Sequence, residues 1–418
     1  MSLKIITGAS QILTMEGSGW KPLSGESMES LSIKNGVSVV IDGSKIREII
    51  PNSRLDSFIS SENPEVIDAA GKVVMPGFVD SHTHIVYGGS RHEEFYQKLQ
   101  GRTYLEILNS GNGIYRTVQD TRNTDEDTIY RQSLERVRDA ISTGTTYMEM
   151  KTGYGLDAES EMKMLHVMDR ISATGTMGVS KTFLPLHAIP KGMTESSYVE
   201  MVIEKMLPLF KGKARFADSF CDRGAFSKES TERFFRAASS MGFELRLHAD
   251  ELANIGCLDL INGNKVRSVD HLLETDNSGM ERIKASGAVA NFLPITAFNI
   301  KDGKYPDIGI FYENQVPFSI STDCSPVSGN TSMLFSIYLA VRYCGISIEA
   351  ALSAATINGA FSLGENNRVG SIEPGKSADL IILNASDYRE IPYRYGSRMI
   401  SRVMKNGEII YHDSSSFF

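Results

Sequence analysis

The stretch VVMPGFVDSHTH, residues 73–84, decides the reading of the whole chain. An apolar, β-prone run ends in polar residues, and His82 and His84 stand one residue apart at its close. On a strand, residues i and i+2 face the same side, so the two imidazoles converge on one point. Seven later runs repeat the change from apolar to polar: TTYMEMKTGYG (145–155), SKTFLPLHAIP (180–190), RFADSFCDRG (215–224), FELRLHADE (243–251), VRSVDHLLE (266–274), AVANFLPIT (288–296) and VPFSISTDCS (316–325). Helical patterns fill the intervals. In TDEDTIYRQSLERVRDAISTG (124–144), Thr124 is placed to cap, with Asp127 three residues on, and Tyr130, Leu134, Val137 and Ile141 follow at helical spacing before Gly144. SKESTERFFRAASSMG (227–242) repeats the scheme, with Ser227 as N-cap and Gly242 as stop. Eight alternating units predict an α/β fold, a (β/α)8 TIM barrel rather than an open sheet, with chemistry at the C-terminal ends of the strands.

Both chain ends have a different texture. VSVVIDGSKIREII (37–50) is two β-branched runs around an Asp-Gly turn, and VGSIEPGKSADLIIL (369–383) and RVMKNGEIIY (402–411) continue the theme. Neither end has strands enough for a stable sheet by itself. The expected organisation is a composite β-sandwich from residues 1–68 and 367–418 around a barrel at 69–366.

Composition narrows the class. Of 418 residues, 41% are hydrophobic and 22% charged, with a net charge of −8, which suits a globular protein and disfavours a nucleic-acid-binding face. No apolar stretch approaches the roughly 20 residues of a membrane span. Cys221, Cys257, Cys324 and Cys344 form no CxxC pair, so free thiols in a reducing cytoplasm are expected.

The chemistry gathers at the strand ends. His82, His84, His187, His248 and His271 all fall there, as does Asp323. Two converging imidazoles, a third from a distant strand and a carboxylate make a set for a borderline metal, with His82, His84, His248 and Asp323 as ligands. Glu251, three residues beyond His248, suits proton transfer, the alternative being a helix cap. His271 would hold a water or polarise a carbonyl, or else be structural.

Together these residues resemble the amidohydrolase superfamily along nearly the whole chain. PGFVDSHTH, HADE, the sixth-strand His, the eighth-strand Asp and the tail TINGAFSLG with VGSIEPGKSADLIIL carry the likeness. Within it the chain resembles the imidazolonepropionases, through GGSR after the paired histidines, QGRTYLEIL, GNGI, KTGYGL, TFLPLHAIP and IPYRYG. The resemblance implies a metal-dependent hydrolase of histidine degradation, opening 4-imidazolone-5-propanoate to N-formimidoyl-L-glutamate, and a homodimer. It implies Glu251, His271 and Asp323 as catalytic groups. Arg91, Tyr154, His187, Glu251, Ser325, Val327 and Ser328 are the implied substrate contacts. A small substrate with a carboxylate tail would engage the Arg91 guanidinium. Arg91 as a surface residue beside Glu93 and Glu94, Tyr154 as a loop tyrosine and His187 as a core histidine are the plainer alternatives.

The chain departs from that family at DCSPVSGN (323–330): Ser325 stands where Asn is usual and Val327 where Gly is usual, while Ser328 keeps its hydroxyl. The fourth-strand run lacks the terminal lysine that bridges two ions in binuclear relatives, so one zinc or iron ion per chain is expected, with Lys151 structural or near the substrate. A deaminase of the cytosine or guanine type shares the ligand pattern but has no carboxylate for Arg91 to bind. A non-catalytic relative would not need all four ligands and Glu251.

Overall fold

The computed structural model describes residues 3–17, 19–102, 112–300 and 303–413. All eight runs contribute to one parallel sheet, with strands Phe78–Asp80, Thr145–Lys151, Gly178–Leu186, Phe216–Cys221, Glu244–Ala249, Val266–His271, Val289–Phe292 and Phe318–Ile320 paired in chain order. Beyond the first and last strands the sheet closes on itself. Thr83 bridges Cys324, the His84 N–H donates to the Cys324 carbonyl at 2.8 Å, and the Asp323 N–H donates to the His82 carbonyl at 3.1 Å. The result is the (β/α)8 barrel expected from the sequence. Its closing seam runs through the segments that carry the paired histidines and Asp323.

Stretch 73–84 is two strands, not one. Val73–Pro76 lies between Leu380–Leu383 and Gln11–Leu13 in a separate six-stranded sheet, and Phe78–Asp80 opens the barrel. Gly77 is the junction, packed so closely that a Cβ there would come within 2.3 Å of the Thr146 side chain. The six-stranded sheet runs Glu408–His412, Ile400–Lys405, Leu380–Leu383, Val73–Pro76, Gln11–Leu13, Ile33–Lys34, so both chain ends share it. A four-stranded sheet of Lys45–Pro51, Val37–Asp42, Leu3–Thr7 and Glu65–Asp68 completes the sandwich. Ile6, Val39 and Ile41 from that sheet pack with Val74, Leu380 and Ile382 from the other in one buried cluster. The C-terminal hairpin turns at Asn406-Gly407, with φ of 50° and 79°, the left-handed pair that a two-residue type I′ turn requires.

Two local expectations are corrected. The helix Glu126–Ser142 is capped by Asp125, which accepts the Thr128 N–H, because Thr124 is taken up as the C-cap of the preceding helix, Ile114–Asn123. Ser227 does cap Lys228–Ser240. The four cysteines are not all free thiols: Cys221 and Cys257 are disulfide-bonded, and buried Cys324 and Cys344 are free. The fourth and fifth barrel strands pair with Cys221 opposite Ala249, which brings the loop after the fifth strand, and Cys257 with it, back over Cys221. Among the described residues no helix is long and apolar enough to cross a membrane.

Gly77→Ala should destabilise the junction between barrel and sandwich by about 1–3 kcal/mol, the usual cost of overpacking a filled interior. A thermal melt lowered by several degrees is the expected outcome.

Candidate active site

Barrel closure sets His82 and His84 beside Asp323, and the fifth strand adds His248. Their donor atoms form a tight cluster: His82 Nε2 lies 3.2 Å from His84 Nε2, His248 Nε2 lies 3.4 Å from His84 Nε2, and both His82 and His84 are 3.6 Å from Asp323 Oδ1. Donors around a tetrahedral ion at 2.0–2.2 Å would stand roughly 3.4 Å apart. The tautomers agree with that spacing. His82 Nδ1–H donates to Asp270 Oδ2 at 2.8 Å and His248 Nδ1–H donates to Asp218 at 3.1–3.2 Å. A carboxylate can only accept, so each Nε2 carries a bare lone pair pointing inward. Burial, and then the neighbouring Lys151 charge, hold both imidazoles well below their ordinary pKa. Neutral nitrogens whose lone pairs face one another at this distance repel unless a cation lies between them. The residues therefore fit a metal ion.

Beneath the histidines is a fully buried charge network that the motif reading did not find. Lys151 Nζ lies 2.7 Å from Asp218, 2.9–3.0 Å from Glu149 and 3.6 Å from Asp270. Arg246 Nε is 2.9 Å from Glu149, and its Nη2 donates to the Ser81 carbonyl at 2.8 Å. Lys151 thus belongs to the floor of the site, not to the substrate side. Glu149 and Lys151, and likewise Arg246 and His248, are i and i+2 on their strands, so each pair faces the barrel interior. Charged residues at alternate positions of apolar runs were the available signal.

Above the histidines opens a cavity of about 590 Å³ lined by Arg91, Tyr154, His187, Glu251, Ser325 and Val327, among others. His187 Nδ1–H donates to the Gly153 carbonyl at 3.1 Å, which leaves Nε2 for a ligand, and its ring stacks on His84 at 4.8 Å. Burial lowers its pKa to about 4, so it is neutral. Tyr154 is held by the buried carboxylate of Glu161, which accepts the N–H groups of Gly153, Gly155 and Leu156. Gly153, at φ 116°, makes the turn possible. Glu251 Oε2 lies 3.7 Å from His271 Nε2, and burial, followed by the Asp323 and Asp222 charges, pushes its carboxyl up to about 8. Asp323 receives the Thr296 hydroxyl at 2.5 Å.

Two expected contacts sit differently. Arg91 faces the cavity, but Glu94 takes its Nε at 2.8 Å and its Nη2 at 2.6 Å. Ser328 is not among the cavity-lining residues: its hydroxyl donates to the Asp323 carbonyl at 3.2 Å, closing the turn after the eighth strand. Ser325 and Val327 do line the wall.

Residues 73–410 match the model of the Amidohydrolase family. The chain is 44% identical to an imidazolonepropionase of Picrophilus torridus over 96% of its length and 97% of that protein's. It is 40% identical to one from Thermoplasma volcanium over 99% of each chain. The chain belongs to the imidazolonepropionase family of amidohydrolases. It is a hydrolytic enzyme of that family, and the family is metal-dependent. Solved structures of deaminases share the fold alone. A 5-methylcytosine deaminase from Klebsiella pneumoniae superposes with a TM-score of 0.73 at 15% identity, over 98% of each chain. Guanine deaminase from E. coli gives 0.72 at 17%, over 98% of this chain and 99% of that one.

Replacing Asp270 by Ala should weaken metal affinity about 10–100-fold, as loss of a carboxylate behind a ligating histidine does; competition with a chelator measures it. Lys151→Met strands buried carboxylates and should cost about 3–5 kcal/mol in denaturant unfolding.

Proposed function

We propose that this enzyme hydrolyses 4-imidazolone-5-propanoate to N-formimidoyl-L-glutamate, with one zinc or iron ion held by His82, His84, His248 and Asp323. What carries the reading is full-length identity of 36–44% to proteins named imidazolonepropionase, joined to a cavity that sets an arginine and a tyrosine opposite four converging ligand atoms. A single ion is favoured because the Lys151 ammonium already neutralises Asp218 and Asp270, the carboxylates nearest His248. Such an ion, when bound, supplies Lewis acidity and lowers the pKa of water.

The protein groups do the rest. Arg91 and Tyr154 bind the propionate, Arg91 through Nη1, the guanidinium nitrogen that Glu94 leaves free. With the tail fixed, the ring lies against the histidine cluster, and this positioning removes much of the entropic barrier. His187 Nε2 is assigned to a polar atom of the ring. Asp323 and His271 orient the attacking water. Its oxygen adds to the ring carbonyl carbon, the bond from that carbon to the adjacent ring nitrogen breaks, and Glu251 carries the water's proton to the departing nitrogen. The carbonyl becomes the new carboxylate, and the freed nitrogen becomes the end of the formimidoyl group. Ser325, Val327 and Ser328 form the turn against which that carboxylate emerges.

Ring opening of imidazolone propionate, set against ammonia release from guanine or cytosine, tests the assignment directly; turnover of the nucleobases alone would overturn it. Glu251→Gln should lower kcat by about 10²–10⁴-fold with metal content unchanged, the range lost with a general acid–base group. Arg91→Ala should act mainly on KM for the carboxylate-bearing substrate, raising it at least 10-fold, the effect of losing roughly 1.4 kcal/mol or more of charged hydrogen bonding.

A further inference from the structure

Two of the fastenings of the loop that carries Glu251 come from consecutive residues. Asp222, only 2% exposed, follows the last residue of the fourth barrel strand. Its Oδ2 accepts the N–H groups of Glu251 at 2.8 Å and Leu252 at 3.0 Å, and its Oδ1 accepts those of Ala253 at 3.0 Å and Arg223 at 2.6 Å. The residue before it, Cys221, is bonded to Cys257, where the same loop ends and the short helix Cys257–Ile261 begins. Between these anchors the loop stands out from the barrel: Leu252 is 55% and Ile255 38% exposed. Asp250, just before Glu251, is also tied, its carbonyl accepting the Glu274 N–H and its Oδ2 the Thr275 hydroxyl, each at 2.8 Å; from Glu251 onward the carboxylate cage and the covalent link hold the loop.

We infer that Cys221, Asp222 and Cys257 form one clamp whose work is to hold Glu251 over the histidine cluster, and that opening its disulfide lowers turnover while leaving substrate affinity in place. The three are positioning residues, since the cavity is lined by Glu251 and Leu252 and not by them. The inference rests on the assignment of proton transfer to Glu251. A disulfide narrows the conformations available to the segment it spans, and a displacement of about 1 Å at a reacting group can cost up to 10²-fold in rate. Opening the link with a dithiol is balanced as exchange: two electrons and two protons pass from the reductant, which closes to its own cyclic disulfide, and Cys221 and Cys257 become thiols. The Arg91 and Tyr154 side of the cavity belongs to other loops, so binding of the substrate tail should be insensitive to the change.

The test uses the metal-loaded enzyme. Thiol titration of the unfolded, unreduced protein should find two thiols, those of Cys324 and Cys344, and four after reduction. Cys257→Ala, Cys221→Ala and the double variant should each lower kcat by roughly 10-fold or more, and by equal amounts, because each removes the same single bond. KM and metal content should stay within twofold. Cys344→Ala, the loss of a buried sulfur elsewhere, should leave kcat unchanged, and dithiol treatment of the unmodified enzyme should reproduce the Cys257→Ala value. Four thiols without reductant, or full kcat in Cys257→Ala, would overturn the clamp. Should the cysteine variants fail to fold, the thiol count and the reduced unmodified enzyme still decide. Full activity in Glu251→Gln would sink the proton-transfer assignment instead, whereas an inactive Glu251→Gln beside a fully active Cys257→Ala would sink the clamp alone.

Discussion

Everything at the strand ends depends on one buried ammonium. Lys151 lies at the meeting point of Glu149, Asp218 and Asp270, with no exposed surface on any of the four. Taking such charges out of water is costly unless each is met by its opposite at close range. Lys151 meets that condition for Asp218 and Asp270, and those carboxylates in turn fix the tautomers of His248 and His82. With Arg246 included, three carboxylates face two cations, and the floor keeps one net negative charge. The nearby carboxyls of Asp323 and Asp80 are both buried, and burial pushes each up to about 7.

The sequence made the frame legible because a barrel writes itself as repeated units. Eight apolar runs ending in polar residues, separated by helical stretches, leave little freedom in topology, and histidines at those ends fall on one rim. What stayed hidden has particular physical reasons. Glu149 and Arg246 look like ordinary charged residues until the barrel interior, and not solvent, is known to face them. Cys221 and Cys257 are 36 residues apart in the chain and meet only because adjacent parallel strands are in register. Thr124 and Asp125 can both cap, and the choice falls to Asp125 because another helix ends at Thr124. Gly77 interrupts a run that reads as continuous.

The likeness to deaminases shows how far a fold constrains function. An adenosine deaminase, a guanine deaminase and a 5-methylcytosine deaminase share this fold at 14–17% identity. A shared fold does not fix the activity, which is set by the particular side chains of the site. In this chain Arg91, Ser325 and Val327 line the cavity above the histidines, and Glu94 holds Arg91. Ser325 is buried, and the Val327 side chain adds to the apolar lining that Phe95, Leu99, Ile114, Phe220 and Leu252 also supply. Glu94 has a double effect. It orients the guanidinium through Nε and Nη2 and offsets its charge, while leaving Nη1 to other partners.

The shared sheet has a consequence for how the molecule assembles. The strand that leads into the barrel, Val73–Pro76, is covered on one edge by Leu380–Leu383, a segment synthesised some three hundred residues later. Until the end of the chain emerges, that edge and the apolar face of Ile6, Val39 and Val74 stay open to other partners. Contacts of such sequence separation form slowly, and unpaired strand edges invite association between chains. Barrel closure need not wait for them, since its seam joins Thr83 to Cys324. A C-terminally truncated chain would leave the Val73–Pro76 edge unpaired, a template for association with another chain.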